Sequence, residues 1–177
     1  MGQNGSQLTE EQVEEMRSVT NFSDKEIKRL FKRFNRLDRN GDGKITYEEF
    51  LYIPELSVNP LVNRVIAVFD QNNDRKVNFK EFISALSIFS AKGGKQDKLE
   101  FAFKIYDLDG DGFITNRELF EVLKMMVGSN LSDVQLQQIV DKTILEADED
   151  GDGKISFQDF AKILSHADFE SKMTIDF

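Results

Sequence analysis

The chain has 177 residues, neither cysteine nor tryptophan, 32 acids against 23 lysines and arginines, and a net charge of −9. That length suits one large domain or two small ones. Zero cysteine excludes disulfides and thiol chemistry and fits a reducing cytoplasmic compartment; the acidic balance leaves no basic face for nucleic acid; and no apolar run reaches transmembrane length.

In chain order, Met1-Gly2-Gln3-Asn4-Gly5-Ser6 matches M-G-x-x-x-[ST], the signal for N-myristoylation at Gly2. On the pattern alone, a flexible leader accounts for these residues equally well. The residues that follow include Glu10, Glu11, Glu14 and Glu15, not the basic second signal that one acyl chain needs, so peripheral membrane contact through it would be weak. Within this leader, 1–22, Thr9 and Gln12 predict a capping box for a short helix. Ser23 and Glu26 predict another for a longer helix, in which Ile27, Leu30, Phe31 and Phe34 form one apolar stripe.

That stripe runs into the twelve residues from Asp38 to Glu49. Tyr47 to Tyr52 leads out, Pro54 ends the outgoing helix, and Asn59-Pro60 places an N-cap and an N1 proline before a helix whose apolar residues are read as Leu61, Val65, Val68 and Phe69. A second loop, Asp70 to Glu81, is followed by Phe82, Leu86 and Phe89. Residues 91–96 hold Gly93-Gly94 and read as a linker between a first lobe, 23–90, and a second, 97–165. In the second lobe Leu99, Ala102, Phe103 and Tyr106 lead into Asp107 to Glu118, and Leu119, Leu123 and Met126 lead out. Gly128-Ser129-Asn130 breaks the pattern, Ser132 with Gln135 recaps it, and Leu136, Ile139, Val140 and Ile144 enter a fourth loop, Asp148 to Asp159. Phe160, Ile163 and Leu164 leave it, and a tail, 166–177, carries the single histidine, His166.

The four loops share one spacing. Oxygen-bearing residues stand at positions 1, 3, 5 and 12, which is how an EF-hand wraps ligands around calcium, with a backbone carbonyl at position 7 and glycine at position 6 for the sharp turn. Loop 1 offers Asp38, Asn40, Asp42, the Lys44 carbonyl and Glu49; loop 2 offers Asp70, Asn72, Asp74, the Lys76 carbonyl and Glu81. Loop 3 offers Asp107, Asp109, Asp111, the Phe113 carbonyl and Glu118, with Thr115 at position 9 acting through a water; loop 4 offers Asp148, Asp150, Asp152, the Lys154 carbonyl and Asp159. Position 8 is apolar in all four (Ile45, Val77, Ile114, Ile155), which predicts short antiparallel bridges between paired loops. The fold class expected is therefore all-α: four EF-hands in two paired lobes, binding up to four Ca²⁺.

The loops are not equal. Loop 3 has four ligand carboxylates and is expected to bind most tightly, whereas loop 1 has Asn40 at position 3. In loop 4 Asp159 is one methylene shorter than glutamate, which suits Mg²⁺ better. Loop 2 has Arg75 where glycine should stand and is expected to be the weakest site. Phenylalanine occurs 16 times and methionine five; flexible Met-lined grooves suit many targets, so rigid Phe points to one fixed partner helix lying along both lobes. An enzyme is not indicated: there is one histidine, no cysteine and no glycine-rich phosphate loop.

The runs Phe101 to Asp107, Val122 to Leu131 and Gln135 to Thr143, with Gly2, Asn59-Pro60 and Phe79-Lys80-Glu81-Phe82, resemble the calcineurin B family over nearly the whole chain. The resemblance implies a non-catalytic regulatory subunit of a Ca²⁺- and calmodulin-dependent Ser/Thr phosphatase. It would clamp an amphipathic helix of the catalytic calcineurin A chain, on which calmodulin acts. It also implies N-myristoylation at Gly2. The segment Met126, Val127, Gly128, Ser129, Asn130 and Leu131 is implied to help dock LxVP substrates and immunophilin–drug complexes. The alternative is a related EF-hand sensor or buffer serving a transporter or kinase.

Overall fold

The computed structural model describes residues 7–90 and 93–165; the acylation signal at Gly2 and the tail from His166 lie outside the described residues. Contacts divide the chain into a unit ending at Gly94 and a unit beginning at Lys95.

In the first unit, α1 (Glu10–Val19) and α2 (Asp24–Leu37) each open with the expected capping box, at Thr9/Gln12 and Ser23/Glu26. The stripe of α2 is buried at Ile27, Leu30 and Phe34. The Phe34 ring meets Phe79 and Phe82 of α6 (Phe79–Phe89) edge-on at 5.4 and 5.5 Å, an arrangement that adds to the energy of simple burial. Between these helices run β1 (Lys44–Thr46), α3 (Tyr47–Phe50), α4 (Pro54–Ser57), α5 (Val62–Phe69) and β2 (Lys76–Asn78). The strands pair antiparallel with Ile45 opposite Val77, and both side chains are fully buried.

Three details differ from expectation. Helix α5 begins at Val62, not at Pro60: the Asn59 side chain accepts a hydrogen bond from the Leu61 N–H at 2.9 Å, a local turn that delays the helix by two residues. Its buried residues are Val62, Ile66 and Phe69, with Val65 and Val68 only half-buried. Because the segment is apolar at most positions, hydropathy does not fix which face turns inward. Pro54 does not directly follow the outgoing helix: α3 stops at Phe50, and the proline opens the short α4, where its missing N–H costs nothing.

The second unit comprises α7 (Lys95–Tyr106), β3 (Phe113–Thr115), α8 (Asn116–Val127), α9 (Asp133–Ala147), β4 (Lys154–Ser156) and α10 (Phe157–Ser165). Strand β3 pairs with β4 and sets Ile114 opposite Ile155. Phe103 packs edge-on against Phe157 and Phe160 at 5.6 and 5.5 Å, and Leu136, Val140 and Ile144 complete the core from α9. Met126, Ile139 and Ile163, which the sequence places on apolar stripes, are nearly half exposed; on α9 the buried spacing of four residues passes Ile139 by. Helix α7 takes up Lys95 and Gln96 from the segment read as linker. Gly93 lies close on the end of α6, where an added Cβ would stand 2.1 Å from the Ile88 carbonyl oxygen. Among the described residues no helix is long and apolar enough to cross a membrane.

Candidate metal centres

Each loop is a knot of backbone donors around carboxylates. In loop 3 the Asp107 Oδ2 accepts from Gly112 N at 2.9 Å, Asp109 Oδ1 from Asp111 N at 3.0 Å, and Asp111 Oδ1 from Phe113 N at 2.9 Å. Glu118 closes the loop with both oxygens, one accepting from Asp109 N and the other from Thr115 N, each at 3.1 Å. Loops 1 and 2 repeat the closure: Glu49 accepts from Arg39 N and Thr46 N, and Glu81 from Asn72 N and Asn78 N.

Position 9, expected in loop 3 to act through a water, also starts a helix. Thr46, Asn78 and Thr115 are the N-caps of α3, α6 and α8, and the position-12 glutamate is the N3 partner in each capping box. Start of helix and closure of loop are thus one set of bonds. Thr115 Oγ1 accepts from Glu118 N and donates to Glu118 Oε1 at 3.0 Å. The signal was in the sequence as [ST]-x-x-E at positions 9 to 12 of loops 1 and 3.

Loop 3 converges best. Oxygens of Asp107, Asp109, Asp111 and Glu118 all lie within 4.8 Å of one another. Among the described residues Asp107 Oδ1 is buried without a hydrogen-bond partner, an arrangement that costs free energy unless something cationic faces it. Burial, with Glu118 and Asp111 adding repulsion, pushes the Asp107 carboxyl above the usual carboxylate range. An all-oxygen set of four carboxylates with an orphaned buried oxygen fits a hard divalent cation. In loop 4 Asp148, Asp150 and Asp152 converge in the same way but Asp159 does not join them. Among the described residues its carboxylate accepts from Ser156 N alone, at 3.2 Å, because the shorter side chain falls short of the far side of the loop that Glu118 reaches. The Gly153 N–H holds Asp148 below its ordinary pKa, while the neighbouring Asp148 carboxylate pushes Asp150 up.

The chain resembles known proteins over its full length. A family model described as an EF-hand domain pair matches residues 27–87 and 96–165. The calcineurin B protein of Naegleria gruberi is 71% identical over 175 residues, covering 99% of both chains. A type 1 calcineurin B protein of Dictyostelium discoideum is 54% identical over 177 residues, covering 99% of this chain and 98% of the relative. A human type 2 calcineurin B protein is 54% identical over 156 residues, covering 88% and 92%. The chain belongs to the calcineurin B family.

Loops 1 and 2 differ from loops 3 and 4 in their side-chain contacts. The position-5 carboxylates, Asp42 and Asp74, are each bonded to a lysine of the other loop: Asp42 Oδ2 to Lys76 Nζ at 3.0 Å and Asp74 Oδ2 to Lys44 Nζ at 2.6 Å. These ammonium groups hold both carboxyls below the usual range, and Asp74 in turn raises Lys44. Loop 2 is also strained in its backbone. Arg75 at position 6 has φ 64°, and Asn73 at position 4 has φ 57° where the other loops have Gly41, Gly110 and Gly151. Asn tolerates this region; arginine pays about 1–2 kcal/mol for it. If calcium holds the turn that the free loop can relax, Arg75→Gly should tighten loop 2 by roughly tenfold. Site-resolved NMR titration checks this against loops 1, 3 and 4, whose occupancies should not move.

Proposed function

We propose that the chain is the calcium-binding, non-catalytic regulatory subunit of a calcineurin-type Ser/Thr protein phosphatase, binding an amphipathic helix of the catalytic calcineurin A chain and conferring Ca²⁺ sensitivity. The observation that carries this reading is 71% identity over 99% of the chain to a protein named as a calcineurin B. Up to four Ca²⁺ would be held, through the oxygen sets of the loops beginning at Asp38, Asp70, Asp107 and Asp148. Bound calcium would neutralise the loop carboxylates and fix loops 1, 2 and 3 on their outgoing helices, through the same glutamate that caps each.

We place the lobes at 23–90 and 97–165, with loop 3 tightest, loop 2 weakest and loop 4 tolerant of Mg²⁺. Exposed apolar side chains available to a partner helix include Leu51, Met125, Met126 and Ile139. The segment from Met126 to Leu131, which turns at Gly128 with φ 56°, is proposed as the docking edge for LxVP substrates and immunophilin–drug complexes. Gly2 is proposed as the myristoylation site and the cytoplasm as the compartment, with only weak membrane contact.

The full chain in Ca²⁺ should form a one-to-one complex with the isolated regulatory-chain-binding helix of calcineurin A in a calorimetric titration. A chain that stays monomeric beside both that peptide and the whole catalytic protein contradicts the proposal.

A further inference from the structure

The two loops of the first unit are tied to each other by their own side chains. Lys44 and Lys76 occupy position 7 of loops 1 and 2, where the calcium reading uses the backbone carbonyl alone, so both ammonium groups are spare. Each reaches past the β1–β2 bridge to the position-5 carboxylate of the opposite loop, Lys44 to Asp74 and Lys76 to Asp42. The second unit is built differently: position 7 of loop 3 is Phe113, and the Lys154 ammonium of loop 4 lies over that ring, 5.6 Å from its centroid. Among the described residues, groups of three or more acidic side chains converge within 4.8 Å in loops 3 and 4 and not in loops 1 and 2. Loop 1 nevertheless has Asp38, Asp42 and Glu49, and loop 2 has Asp70, Asp74 and Glu81.

We propose that Lys44 and Lys76 are built-in competitors for calcium, each holding the position-5 carboxylate of the opposite loop, so that an ion entering one loop must displace a lysine belonging to the other. The inference rests on the reading of the loops as calcium sites. An ammonium group and a divalent ion compete for the same carboxylate charge: Asp42 and Asp74 each keep Oδ1 on the position-7 N–H of their own loop and give Oδ2 to the lysine of the other. Both bridges are reciprocal, so the affinity of each loop is set in part by a residue outside it. Loops 1 and 2 therefore respond to higher calcium than their ligand counts imply, and the competition is partly relieved by salt, since both pairs are solvent-accessible.

The crossed wiring makes the test specific. In the full chain, Lys44→Gln should tighten loop 2 more than loop 1, while Lys76→Gln should tighten loop 1 more than loop 2. The gain expected is on the order of two- to fivefold, the range of an exposed ion pair. Calcium titration followed at the position-6 amides of Gly43 and Arg75, which donate to Asp38 and Asp70, reads each loop separately, with loops 3 and 4 as internal controls. Lys44→Arg, which keeps the charge, should leave loop 2 as in the wild type. A gain confined to the loop that carries the substitution means simple loss of local positive charge and overturns the proposal, as does no change in either loop. A wild-type chain that takes up calcium in none of its loops overturns the calcium reading and this proposal together, an outcome distinct from the other two.

Discussion

Asp107→Asn should abolish tight calcium binding in loop 3 while making the calcium-free second unit more stable, two effects of opposite sign from one atom pair. Asp107 stands at the first ligand position of the proposed site; among the described residues its Oδ1 is buried without a hydrogen-bond partner, and its carboxylate converges within 4.8 Å on oxygens of Asp109, Asp111 and Glu118. Loss of a ligand should cost more than the ~10–100-fold typical of losing an outer hydrogen-bond partner. In the calcium-free protein the same carboxylate is raised in pKa by burial first and by its acidic neighbours second. A carboxyl raised on folding stabilises the fold below its unfolded pKa, and that contribution is lost as pH rises through the folded value. Above that value the wild type has lost it. Asparagine removes the charge and supplies N–H donors toward Glu118, worth about 1 kcal/mol, or roughly 4–8 °C in the melting temperature of a unit this size. Melting curves in chelator at neutral pH should show the rise, and curves taken below the ordinary carboxylate range should show the two proteins drawing together. A variant that melts lower than wild type in chelator at neutral pH would mean that Asp107 is held by contacts favouring its charge.

Phe34→Ala should take a large share of the stability of the first unit. Phe34 is 1% exposed and sits at the crossing of α2 and α6, against the Phe79 and Phe82 rings, with Phe31 stacked edge-on to Phe79 at 5.0 Å. Truncating a buried phenylalanine costs about 3–5 kcal/mol, against the roughly 5–15 kcal/mol that holds a typical domain. Because α2 and α6 lead into loop 1 and out of loop 2, the loss also loosens the elements that hold both loops. Chemical denaturation followed by far-ultraviolet circular dichroism should show the first unit unfolding well before the second. A midpoint for the first unit within the error of wild type would mean that the aromatic cluster is not what holds α2 to α6.

The loops were legible in the sequence because their chemistry needs fixed residue types at fixed positions. Acids at 1, 5 and 12 and an apolar residue at 8 leave little else to be, and the Ile45–Val77 and Ile114–Ile155 bridges followed from position 8 alone. The strain at Arg75 was legible for the same reason: position 6 requires a positive φ, and Arg75 has φ 64°. What escaped was whatever depends on where a long or redundant side chain goes. Lys44 and Lys76 contribute only a carbonyl to the loop pattern, so nothing in the spacing told that their ammonium groups would cross to Asp74 and Asp42. The buried face of α5 escaped because its apolar residues satisfy more than one phase, and the start of that helix because the Asn59 side chain satisfied a turn instead of a cap. The length of Asp159 suggests a site better suited to Mg²⁺; the structure adds that, among the described residues, it accepts a single backbone bond where each glutamate accepts two.

Phosphatase activity of the calcineurin A catalytic protein, titrated with Ca²⁺ in the presence of calmodulin and with or without this chain, measures the regulatory role itself. Activity should rise with calcium only when the chain is present, and Asp107→Asn should move the calcium midpoint upward. Activity that is the same with and without the chain at every calcium concentration would contradict that role.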